Sequence, residues 1–178
     1  MKKLLSMILA LTMALTLAAC GGEKAPEADA ESGSVDLTAF YNELAEAYKW
    51  VDDTADAEDF TEDATIMMDP SQDPEILDGY FPGLSDVAAK QMVIRTSSNS
   101  FLVNELVFLE CENEEEASKA ADLMKNRVAM QVEGGAFYPD SVAVWETAEV
   151  LTNGNFVALV AAIEHQTEVV DAFNALFA

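Results

Sequence analysis

From residue 36 onward the apolar residues recur at helical spacing. Leu37, Phe40, Tyr41, Leu44, Ala45 and Tyr48 share one face, with Asn42, Glu43 and Glu46 between them. Asp36 sits where a short acceptor can cap the first turn's free N–H groups. After Trp50 the pattern breaks. Short apolar islands such as Ile66-Met67-Met68 and Tyr80-Phe81 interrupt an acidic stretch over 51–86, which reads as a loop pinned to a core at intervals. Within it Asp73-Pro74-Glu75 can open a short helical turn, with Pro74 at the first position.

From Lys90 onward the body reads as two strand–strand–helix units. A strand is predicted at about Gln91–Thr96, a polar turn at Ser97–Ser100 and a second strand at about Leu102–Glu110. A helix follows at about Glu114–Val132. Asn113 with Glu116 forms a capping-box-like start, and Gly134-Gly135 end it. Ala117, Ala120, Ala121, Met124, Val128 and Val132 form its apolar stripe, while Lys119, Asp122, Lys125 and Asn126 face water. The order then repeats. A strand is predicted at about Val144–Leu151, a hairpin turn at Asn153-Gly154, a strand at Phe156–Ile163 and a helix at about Thr167–Phe177. Phe156 to Ala162 is apolar on both faces, as suits a strand covered twice.

The expected class is therefore α+β: an N-terminal helix, then two ββα units sharing a four-stranded antiparallel sheet with helices packed over it. One domain over 35–178 accommodates this pattern. The repeat lies in the pattern only, because residue identity between the halves is weak.

The N-terminus follows a different logic. Lys2 and Lys3 precede a 14-residue apolar stretch, Leu4 to Leu17, shorter than the ~20 residues a spanning helix needs. The order of charge, apolar run and small residues is that of a secretory signal over 1–19. Its close, Leu17-Ala18-Ala19-Cys20, looks like a bacterial lipobox. On that reading cleavage falls between Ala19 and Cys20. Cys20 then carries a diacylglyceryl thioether and anchors the chain in the membrane. Gly21 to Ser34 has no large apolar residue and reads as a flexible tether of roughly 20 Å root-mean-square span, so that 20–34 joins lipid to domain.

Charge narrows the partners. The whole chain of 178 residues carries 33 Asp+Glu against 9 Lys+Arg, a formal charge of −24. The leader holds two of the bases and no acid. The 159 residues from Cys20 onward thus set 33 acids against 7 bases, or −26. Nucleic acid is excluded as a partner, since a phosphate backbone is held by clustered Lys and Arg. The length is too small for a two-lobed solute-binding protein. With Cys20 lipidated, Cys111 is the remaining thiol and no intramolecular disulfide is expected. The acidic field suits a cationic ligand such as a basic peptide or polyamine, and equally keeps the domain soluble and clear of anionic polymers.

Candidate chemistry is sparse. The acidic stretch invites a Ca²⁺ reading, but the EF-hand spacing fails: with Asp52 as position one, Ala57 falls at six and Asp63 at twelve, and Asp59 as position one also fails. His165 is the single imidazole and precedes the last helix, between Glu164 and Glu168, where a surface or capping role is expected. Cys111 lies between Glu110 and Glu112, whose charge disfavours a thiolate, so an inert thiol is expected. Carboxylate pairs for glycoside hydrolysis carry no signal among 33 acids. Tyr48, Trp50, Tyr80, Phe81, Tyr138 and Trp145 suggest core packing before a ligand groove. No residue set is nominated as catalytic, cofactor-binding or metal-ligating.

Short phrases of the body resemble one family. Thr152-Asn153-Gly154-Asn155-Phe156-Val157, then Val169-Val170-Asp171-Ala172-Phe173-Asn174, look like the close of domain-of-unknown-function family 4358. So does the middle, where Val107-Phe108-Leu109-Glu110 lead into an acidic helix start and then Tyr138-Pro139. The resemblance covers about 35–178. It implies a lipid-anchored protein of Gram-positive bacteria with one α+β domain and an extracytoplasmic address. The family has no assigned activity, so no functional residue carries over. The expected function is a non-enzymatic binding or accessory module of the envelope, tied to the membrane through the lipid on Cys20 and meeting an unknown envelope protein or a cationic ligand. The alternatives are a small carboxylate-dependent hydrolase acting on envelope material, or a weak cation-binding acidic domain.

Overall fold

The computed structural model describes residues 35–50, 52–54, 65–68, 74–97 and 102–178. The leader, Ala19, Cys20 and the tether lie outside the described residues, as do 51, 55–64 and 69–73 of the acidic stretch.

Helix α1 spans Leu37–Tyr48. Its start is fixed where the sequence placed it: an Asp36 carboxylate oxygen accepts from the Ala39 N–H at 2.9 Å, relieving one orphan donor. Its end is a left-handed Lys49 (φ 56°). The Trp50 N–H then reaches back to the Ala45 carbonyl at 2.9 Å and turns the indole onto the helix. Short strands β1 (Asp52–Thr54) and β2 (Thr65–Met68) follow, then helix α2 (Pro74–Tyr80) and a 3-10 turn at Leu84–Asp86. Strands β3 (Ala89–Ser97) and β4 (Asn104–Cys111) lead to helix α3 (Glu114–Met130), whose last turn widens into a π-turn at Gln131–Gly135. Helix α4 (Pro139–Glu146), strands β5 (Glu149–Asn153) and β6 (Phe156–Ala162) and helix α5 (Gln166–Ala175) complete the chain.

The strands form one sheet in the order β1-β2-β3-β4-β6-β5. β2 to β5 in that order are antiparallel throughout, and β1 adds a three-residue parallel edge. The two expected ββα units are present as β3-β4-α3 and β5-β6-α5. They join through the β4–β6 pair, with Leu106 opposite Val160 and Phe108 opposite Ala158. The Asn153-Gly154 hairpin is present too: Asn153 pairs with Phe156, and Gly154 takes the left-handed φ of 56° that the tight turn requires.

Alternation along the central strands separates two cores. Leu106, Phe108, Ala158 and Val160 face α1 and α5; Val107, Leu109, Val157 and Leu159 face α2, α3 and α4. On the α1/α5 side Phe108 meets Phe40 edge-on at 5.1 Å and stacks on Phe173 at 6.0 Å. Each such ring removed from water contributes roughly 1.5–3 kcal/mol. The domain is α+β, with helices on both faces of the sheet.

Three details depart from the sequence reading. The antiparallel sheet has five strands rather than four, because Thr65–Met68 is a strand and not a pinned loop. Met67 lies opposite Arg95 of β3. The predicted strand at Val144–Leu151 begins at Glu149 instead, since Pro139 opens a helix there. Ser141 and Trp145, four residues apart, are that helix's buried positions. The helices of the two ββα units also lie on opposite faces, α3 on one and α5 on the other.

Candidate functional site

The periodicity that builds the α2/α3/α4 face also places two charges in it. On β4 the residues at 107, 109 and 111 point into this core, and Glu105 occupies the preceding inward position. On α3, Arg127 follows Met124 by three and Ala120 by seven, which brings it to the sheet side of the helix. The two meet. Arg127 Nε donates to Glu105 Oε1 at 3.0 Å and Nη2 donates to Oε2 at 2.8 Å, a bidentate fork. The Thr96 hydroxyl donates to the same Oε2 at 3.2 Å. The Glu105 side chain is 4% exposed and the Arg127 side chain 13%, so the pair is largely withdrawn from water. Aromatic rings box the guanidinium, with Phe81 and Trp145 at 5.4 Å and Tyr80 at 5.8 Å from ring centre to its carbon.

Beside this pair lies a half-open pocket of about 210 Å³. Its floor is the β3–β4 end of the sheet, with Thr96, Ser97, Asn104 and Glu105. Its walls are Arg127 of α3, Tyr80 of α2 and Trp145 of α4, and its rim is the π-turn with Gln131 and Gly135. The π-turn depends on glycine. Gly134 has a φ of 135°, and a Cβ on Gly135 would sit 2.8 Å from the Met130 carbonyl oxygen and 3.0 Å from the Gln131 amide nitrogen. Such single π-turns occur often at functional sites. The lining holds one carboxylate, and Arg127 already occupies both of its oxygens. Mutually placed acid and base carboxylates are therefore not what this pocket offers.

The residues singled out from the sequence scatter. His165 precedes α5 in a left-handed conformation and its side chain makes no capping bond. Its ring instead stacks on Tyr48 at 4.1 Å. Burial, and then the charge of Glu168, push the Tyr48 phenol above its ordinary value. Cys111 is buried, and its thiol is pushed up to about 11 by burial first and by Glu116 and Glu110 after it. Of the six aromatics, Tyr138 meets Phe137 edge-on at 5.1 Å, and the other five divide between the two faces. Tyr48 and Trp50 lie on the α1/α5 side, where the Arg95 guanidinium rests 4.4 Å over the indole; Tyr80, Phe81 and Trp145 enclose Arg127 on the other. The EF-hand positions examined from Asp52 and Asp59 lie mostly outside the described residues, as does the lipobox. Among the described residues no cluster of three His, Cys, Asp or Glu side chains is placed to hold a metal ion, and no helix is long and apolar enough to cross a membrane.

Residues 61–162 match the model of a family described as a domain of unknown function, DUF4358. The matched span runs from β2 to the end of β6 and contains Glu105, Arg127 and the whole lining of the pocket. No curated protein and no solved structure matches the chain.

Proposed function

The chain belongs to the DUF4358 family, and from that premise we propose that it is a lipid-anchored, extracytoplasmic binding module of the cell envelope with no catalysis of its own. The observation that carries the proposal is the order at the N-terminus: Lys2 and Lys3, the apolar run Leu4 to Leu17, then Leu17-Ala18-Ala19-Cys20. That order suits export, cleavage before Cys20 and attachment of two acyl chains, which hold a protein on a bilayer where one is marginal. A tether over 20–34 would let the domain reach a partner near the membrane rather than lie upon it. The excess of acid, 33 residues against 9 bases, works the same way by keeping the domain off anionic surfaces.

The pocket supports binding over chemistry. General acid–base work needs a group free to exchange a proton with a substrate. Glu105 is instead committed to three donors, two from Arg127 and one from Thr96. The partner is a component of the envelope that meets the domain outside the membrane.

Expression of the full chain in a bacterial host fed a labelled fatty acid tests the anchor. The unaltered protein should incorporate label, and Cys20→Ala should abolish it and accumulate unanchored or unprocessed protein. Equal labelling of Cys20→Ala would overturn the proposal.

A further inference from the structure

The pocket beside Arg127 is not a neutral accident of packing, because its charges are arranged to cancel. Arg127 commits Nε and Nη2 to Glu105, and both Glu105 oxygens are occupied. An anion entering the pocket would reach the guanidinium only against the Glu105 carboxylate on its other edge, in a chain of charge −24. A cation would find Glu105 already satisfied by Arg127 and by Thr96. A zwitterion meets both obstacles. No charged ligand has an uncommitted counter-charge here, and desolvating a charge without one is costly.

What the pocket does present is a set of neutral groups that donate and accept. The Ser97 hydroxyl accepts from the Asn104 N–H at 3.1 Å and keeps its own proton to give. The Gln131 side chain offers an amide with both functions, and Asn104 brings a second amide to the lining. Arg127, whose Nε and Nη2 are taken by Glu105, lines the pocket with its remaining N–H groups, and Tyr80, half-buried at the wall, adds an aromatic surface. Hydroxyl groups on a compact ring with an apolar face complement such a mixture. The half-open volume of about 210 Å³ has room for one sugar ring. Three rings fix the guanidinium and the π-turn fixes Gln131, so little ordering is left for a ligand to impose.

We propose that this pocket binds an uncharged, polyhydroxylated ligand of monosaccharide size, held by Gln131, Ser97 and Arg127 against Tyr80. The proposal rests on the binding-module reading and specifies its ligand class. The test uses the full chain in a detergent without a sugar head group. Saturation-transfer NMR and calorimetry are run with glucose, galactose and N-acetylglucosamine, and in parallel with acetate, inorganic phosphate and spermidine. Gln131→Ala removes a rim group while leaving the Arg127–Glu105 pair intact, and its melting temperature is recorded beside its affinity. The expected result is saturable millimolar binding of at least one sugar, weakened about tenfold in Gln131→Ala at unchanged melting temperature. Three silent sugars, or sugar binding that Gln131→Ala leaves unaltered, would overturn the site. Saturable binding of acetate, phosphate or spermidine alone would overturn the ligand class while leaving a binding module standing. Failure of the Cys20 labelling experiment bears on the anchor alone and reads out separately.

Discussion

Replacing Glu105 by Gln keeps the side chain's shape and removes its charge, so no cavity confuses the result. Arg127 then loses one of its two acceptors, because a Gln amide presents N–H₂ where an oxygen stood. A cation whose side chain is 13% exposed is left without a counter-charge. Two charge-assisted hydrogen bonds at 3.0 and 2.8 Å are at stake, each worth about 1.5–3 kcal/mol. Removing one partner of a buried pair costs about 3–5 kcal/mol, because the remaining charge stays desolvated. For a domain of this size that is a fall in melting temperature of roughly 10–15 °C. The double replacement Glu105→Leu with Arg127→Met removes both charges together and should land within about 1 kcal/mol of the unaltered protein. Urea unfolding followed by far-ultraviolet circular dichroism gives the three free energies. A loss below about 1 kcal/mol for Glu105→Gln, the range of an exposed ion pair, would refute the buried, locally neutral pair on which the pocket's character depends.

Other consequences follow from single contacts. Cys111, with its thiol raised to about 11, should resist alkylation at pH 8 in the folded protein and react rapidly in urea. The raised thiol favours the folded state while protonated. That contribution is full below the unfolded value near 9 and declines as pH rises toward 11, so urea midpoints should fall across that window. Gly135→Ala forces a methyl to within 2.8 Å of the Met130 carbonyl and should cost about 1–3 kcal/mol, read as a lower melting temperature. Asn113 accepts from the Glu116 N–H at 3.0 Å, so Asn113→Ala should cost about 1 kcal/mol by the same measurement.

Elements whose signals are local were legible in the sequence. α1 announces itself through Asp36 and a six-residue apolar stripe, and the β5–β6 hairpin through Asn153-Gly154, because capping and turn chemistry act within a few residues. β2 was missed because four residues are too few to show alternation, and its strand character comes from pairing with β3 some thirty residues away. The last turn of α4 reads as the start of a strand because Val144 and Trp145 look strand-like. Pro139 at the first helical position and the Ser141–Trp145 spacing were the better guides. The pocket was half-visible. Glu105 and Arg127 each fall on an inward position of an apolar pattern, a place where an isolated charge would be expensive. What could not be read was their meeting, which needs the crossing of α3 over β4. Nor could the π-turn be read, because Gly134-Gly135 signal the end of α3 just as well.

The proposal that the chain is a lipid-anchored module is tested most directly by intact-mass and peptide mass spectrometry of the protein purified from bacterial membranes. The account predicts a mature chain that begins at Cys20 and carries a diacylglyceryl group on its sulfur. A chain retaining Met1, or one cleaved elsewhere with an unmodified Cys20, would contradict it.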